Sequence, residues 1–154
     1  MNIGLLGLAL AALLVGMAVP TQTGINIALG KALGNPFLSC VVSFALGFLS
    51  VLVVLGIYVL SGQGGLPSAT RLAEIPWWAW TGGFFGALFV TAALLLAPRL
   101  GATTLFSLIL AGQMLSSLLF DHFGYFDFPQ RTISWLRLAG VLLISAGVFL
   151  IQKF

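Results

Sequence analysis

The sequence predicts an all-α integral membrane protein with five transmembrane helices, and three observations carry that prediction. Of the 154 residues, 60% are hydrophobic and 6% charged, whereas soluble domains average roughly 25% charged. The mean hydropathy is +1.17. The apolar residues lie in long uninterrupted stretches that consume most of the chain. At roughly 20 residues per helical span these stretches leave no room for a separate soluble domain. A single transmembrane domain over 1–154 is expected, with spans at about 3–32, 37–60, 77–97, 102–120 and 133–151. Nucleic-acid binding, a cytosolic catalytic fold and a disulfide-stapled secreted module are excluded.

The first span begins near Ile3 and runs past Pro20 toward Ala32, which makes it longer than the roughly 30 Å hydrocarbon core. Pro20 removes an amide donor and crowds the preceding turn, so a bend is expected there. The freed backbone must be satisfied by neighbours rather than lipid. The start, Met1-Asn2-Ile3-Gly4-Leu5, lacks the basic n-region of a signal peptide, so this segment is expected to stay attached as the first span. Gly34-Asn35-Pro36 ends it, and the second span contains Gly47 and Gly56 as expected close-approach points.

Residues 61–76, opening Ser61-Gly62-Gln63-Gly64-Gly65 and carrying Arg71 and Glu74, read as a surface loop. Trp77, Trp78 and Trp80 suit the interface, where an indole buries its ring and wets its N–H. In the third span Gly82 and Gly86, with Gly83 and Ala87 one step along, form small-xxx-small pairs that let another helix backbone approach. A locally thin helix is the plainer alternative. Pro98-Arg99-Leu100-Gly101 makes a short hairpin into the fourth span, a polar loop with Asp121, His122, Asp127 and Arg131 follows, and the fifth span carries Arg137 one turn inside its start.

The lone Cys40 permits no internal disulfide and has no metal-ligand companion at useful spacing; it reads as a small core residue. No metal or cofactor is expected. The net charge of +3 is a topology signal. Five spans place the ends on opposite sides, with Arg71, Arg131 and Arg137 on one and Lys31, Arg99 and Lys153 on the other. That three-against-three balance gives the positive-inside rule nothing to grip, which fits insertion in both orientations and pairing as an antiparallel homodimer. A small protein oriented by other cues fits it too.

These residues compose a longer pattern: Pro20-Thr21-Gln22-Thr23-Gly24-Ile25-Asn26, then Trp77-Trp78-Ala79-Trp80-Thr81-Gly82-Gly83-Phe84-Phe85-Gly86-Ala87, then Gly112-Gln113 with Asp121-His122-Phe123-Gly124, and finally Arg137-Leu138-Ala139-Gly140. It resembles the YdcZ-type family of the drug/metabolite transporter superfamily over nearly the whole chain. The resemblance implies a half-size, five-helix protein of the bacterial inner membrane. It also implies assembly into a ten-helix bundle, as an antiparallel dual-topology homodimer in some members and as oppositely oriented partners or fused chains in others. The small multidrug resistance proteins of that superfamily carry a glutamate in the first span, and here that span has no acidic residue. A cationic drug exchanged for protons at a buried carboxylate is poorly supported, so a neutral or amphiphilic cargo, or another energy source, is expected.

Gln22 and Asn26 are four residues apart and share a helical face just beyond the proline. They read either as interhelical glue or as the wall of a polar cavity beside a bent helix. Gln113, Ser117 and Asp121 draw a polar stripe toward the membrane edge. In an antiparallel dimer Gln22, Asn26 and Gln113 could ring one chamber, and the candidate substrate contacts are these with Ser43, Trp80, Ser116 and Ser117. Asp121, His122 and Arg137 read as a gate or proton-linked element or as a structural ion pair with a solvated histidine. The expected function is secondary transport of a small molecule by alternating access, with lipid and a second copy as partners. The alternative is a non-transporting scaffold, subunit or lipid-interaction protein. An intramembrane hydrolase is disfavoured, because Asp121-His122 has no nucleophile identifiable from the sequence.

Overall fold

The computed structural model describes residues 3–153; Met1 and Asn2, on which part of the uncleaved-span expectation rests, lie outside them. Among the described residues there are six α-helices: α1 (Ile3–Ala32), α2 (Pro36–Leu60), the short α3 (Ala69–Ala73), α4 (Gly82–Leu100), α5 (Ala102–Phe123) and α6 (Trp135–Lys153). Five segments are long and apolar enough to cross a membrane, the third being a 3-10 turn at Trp77–Thr81 continued by α4. No strand occurs among the described residues. The chain forms two compact units, Met1–Leu95 and Leu96–Phe154.

In the first unit α1 and α2 pack as a helical hairpin, and its turn is closed by three consecutive residues with different tasks. Gly34 adopts a left-handed φ of 66°, where a side chain would be strained. Its amide and that of Asn35 donate to the carbonyls of Lys31 and Gly30, satisfying the open end of α1. Asn35 caps α2, its Oδ1 accepting from the amides of Phe37 at 2.9 Å and Leu38 at 3.2 Å. Pro36 occupies the first helical turn, where its missing N–H costs nothing.

Close approach within this hairpin occurs at Gly30. A Cβ there would sit 3.2 Å from Pro36 Cα and 3.3 Å from the Oγ of Ser39, a fully buried residue whose hydroxyl donates to Pro36 O at 2.7 Å. Gly47 and Gly56, by contrast, have open space around them in the single chain.

α1 is 30 residues long and continues through Pro20. The proline removes the bond to the Gly16 carbonyl, and the threonines beside it lean back onto the same stretch. Thr21 Oγ1 donates to Met17 O at 2.9 Å and Thr23 Oγ1 to Val19 O at 3.1 Å, contacts of the kind that bend helices. From α4, Thr91 Oγ1 donates to Cys40 Sγ at 3.9 Å, and Cys40 is buried as expected of a core residue.

Several boundaries differ from the sequence expectation. The 61–76 connection contains α3, capped by Ser68. α4 runs through Pro98 to Leu100, because a proline in the last turn forfeits a single backbone bond; the chain breaks at Gly101, whose φ is 78°. α5 extends to Phe123 and ends on Gly124 in the left-handed conformation, while α6 begins only at Trp135, so Arg137 lies in its first turn.

In the second unit α5 and α6 pack together, with Leu105, Leu118, Val141 and Val148 buried. Elsewhere leucine, valine and phenylalanine side chains stand outward, the surface expected of helices solvated by acyl chains rather than water.

Replacing Gly30 by valine should lower the unfolding temperature in detergent micelles, since the rigid Pro36 backbone cannot yield. Gly24→Ala, at a helical site with nothing within 4 Å, should leave it unchanged or raise it. Equal effects from the two substitutions would remove Gly30 as the packing point.

Candidate functional site

The polar residues of α1 come together with α2. Gln22 Nε2 donates to Ser43 Oγ at 3.4 Å, and one turn further along α1 lies Asn26, only 4% exposed. All three line a groove of about 450 Å³, whose other walls include Met17, Ile25, Leu29 and Leu46. None of its lining residues is charged. The Nδ2 atom of Asn26 is buried without a hydrogen-bond partner among the described residues. Leaving a buried amide donor unmade costs about 1–3 kcal/mol, so this group is held in need of an acceptor. The four-residue spacing sets Gln22 and Asn26 on one face of α1, and the groove adds Ser43 from α2. Thr21, outside the expected contacts, also lines the groove, and its place beside Gln22 is the sequence signal for it.

A second polar constellation lies where α5 meets α6. Arg137 pairs with Asp121 through its Nη2, and its Nη1 donates to the Arg131 carbonyl at 2.9 Å. The Arg131 amide returns a bond to Asp121 O at 2.7 Å. His122 contributes from both ends: its Nδ1 accepts from the Ile133 amide at 3.3 Å, and its carbonyl accepts from Gln130 Nε2 at 3.1 Å. These bonds fasten the 124–134 connection, which includes left-handed Phe126 and Asp127, across the two helix ends. The side chains of Arg137 and Asp121 keep 32% and 25% of their exposure.

The remaining candidates lie on other elements. Trp80 is exposed on the 3-10 turn before α4. Gln113, Ser116 and Ser117 are exposed on α5, in the second unit. A methyl group added at Gly82, Gly83 or Gly86 would meet no heavy atom within 4 Å in the single chain. No group of three or more His, Cys, Asp or Glu suited to a metal ion occurs among the described residues.

Five apolar spans, with an uncharged groove between two of them, define a multi-pass integral membrane protein. Over residues 7–150 the chain matches the family described as "Putative inner membrane exporter, YdcZ", and it belongs to that family. It is a multi-pass protein of the bacterial inner membrane. It is 28% identical over 94 residues to inner membrane protein YdcZ of Escherichia coli (strain K12), an alignment covering 61% of this chain and 59% of that protein. The match therefore spans less than two thirds of that relative's length. No solved structure matches.

Reversing the charge at one end of the α5–α6 pair, as Asp121→Arg, should destabilise the protein by about 1 kcal/mol, the scale of a partly exposed ion pair. Exchanging both residues, Asp121→Arg with Arg137→Asp, should restore most of the loss in thermal unfolding. Failure of the exchange to recover any stability would show that the attraction contributes nothing.

Proposed function

We propose that this chain is a secondary transporter of a small molecule, working by alternating access as an antiparallel homodimer. The observation that carries the reading is the buried, unpartnered amide of Asn26 in an uncharged groove beside the Gln22–Ser43 bond. In hydrocarbon a polar group of this kind marks a pathway or a partner, and membership of a family described as an exporter favours the pathway. Balanced charge on the two sets of connections favours the antiparallel arrangement. The open stripe at Gly82, Gly83 and Gly86 offers a second copy a surface for close helix packing.

In this reading Gln22, Asn26 and Ser43 of each copy contact the substrate from the α1–α2 groove, and Trp80 before α4 and Gln113, Ser116 and Ser117 on α5 are further candidate contacts. Pro20 supplies the flexible point in α1. The Asp121–Arg137 pair and His122 form the gate at the membrane edge, since opening it breaks one ion pair and frees the connection to α6. A scaffold without transport draws its own support from the Gln22–Ser43 bond, which ties two helices whether or not anything passes between them.

Reconstituted into liposomes and offered a broad panel of labelled metabolites and drugs, the wild-type protein should accelerate the flux of at least one compound. Gln22→Leu and Asn26→Leu should each reduce that flux about tenfold or more, with the dimer intact by cross-linking. Unchanged flux in both variants would remove the groove as the substrate site, and no flux for any compound would favour the scaffold.

A further inference from the structure

The chemistry of the α1–α2 groove restricts what can occupy it. Its donors and acceptors are not equally engaged. The Thr21 hydroxyl is committed to Met17 O, and one Gln22 N–H is committed to Ser43 Oγ. Asn26 lines the groove, and its Nδ2, enclosed and without a partner among the described residues, meets a ligand there by a turn of the side-chain amide; an amide nitrogen can be satisfied only by an acceptor. Most of the remaining wall is aliphatic or thioether: Leu14, Met17, Ile25, Leu29, Val42 and Leu46.

Charge is the second restriction. No lysine, arginine, aspartate or glutamate lines the groove; the cation on α1, Lys31, lies more than a turn beyond Asn26 toward the helix end. A carboxylate entering it would supply an acceptor but lose its hydration with no counter-charge, and an ammonium would lose its own and leave the Asn26 donor unmet. Both penalties exceed what two or three neutral hydrogen bonds return.

We propose that the groove selects an uncharged molecule that presents a hydrogen-bond acceptor, such as a carbonyl oxygen, to Asn26 from an otherwise apolar body. This rests on the reading of the groove as the substrate site. Asn26 is then the specificity residue, and Gln22 and Ser43 orient the polar end of the ligand. Replacing the Asn26 amide by a carboxylate should reverse the charge preference, because an acceptor with a negative charge takes the place of a neutral donor.

Three probes of one shape test the proposal: 2-naphthamide, 2-naphthoate and 2-naphthylmethylamine, titrated against the purified full-length protein in detergent and read by calorimetry and by thermal shift. The amide should bind at least ~100-fold more tightly than either charged probe. Asn26→Leu should weaken amide binding about tenfold or more while leaving the variant folded by circular dichroism, and Asn26→Asp should move the preference to the amine. A charged probe that binds best and still loses affinity in Asn26→Leu would overturn the neutral class while keeping the site. Amide binding that is absent, or equal in wild type and Asn26→Leu, would overturn both. Conversion of dimer to monomer by Asn26→Leu, with no probe responding, would assign the amide to a contact with a second copy and overturn the proposal.

Discussion

The structure depends on one constraint: a polar group inside hydrocarbon has no water to turn to, so the chain itself must satisfy it. Along the spans this is met locally. Thr21, Thr23, Ser50 and Ser145 each return their hydroxyl to a carbonyl four residues back. The α1–α2 turn engages the carbonyls of Leu29, Gly30 and Lys31 at the end of one helix and caps the amides of Phe37 and Leu38 at the start of the next. Asn26 differs from those four hydroxyl residues, because its amide nitrogen is buried and has no partner among the described residues.

The same constraint distributes the charges. Lys31, Arg71, Glu74, Arg99 and Arg131 sit at helix ends or in connections, and Arg137, in the first turn of α6, engages both a carboxylate and a backbone carbonyl. Ionised groups near the edge of a bilayer retain access to water while their attraction is less screened than on a soluble surface. The α5–α6 connection uses this to fix an otherwise irregular segment, and His122 shares in the work through ring and carbonyl together. The fold thus keeps ionic interactions at its margins and neutral hydrogen bonding in the groove, a separation that bears directly on what the groove can hold.

Much of this was legible in the sequence. Hydropathy and the Gly-Asn-Pro and Pro-Arg-Leu-Gly punctuation located all five spans, and the four-residue spacing of Gln22 and Asn26 put both amides on one face. The partnership of Asp121 with Arg137 was one of the two alternatives the residues allowed. The limits were also physical. A helix tolerates proline in its last turn, so Pro98 does not mark the end of α4. Close approach depends on which face of a helix meets a neighbour, so the composition of α2 suggested Gly47 and Gly56 while the contact falls at Gly30 and Ser39, beside the turn. Alternation of charge and apolar residues carries no record of side chains that turn back on backbone carbonyls, and the role of His122 as an acceptor for Ile133 had no local signature.

The central claim is that α1 and α2 open to an aqueous path at Gln22 and Ser43, with Asn26 enclosed beyond them, rather than facing lipid or packed protein. Single cysteines at Gln22 and Ser43, in a Cys40→Ala background, can be offered a water-soluble maleimide in intact membranes beside cysteines at the outward-facing Leu8 and Val51. The account predicts labelling at 22 and 43 and none at 8 and 51. Four silent positions, or modification at 8 and 51 equal to that at 22 and 43, would contradict it.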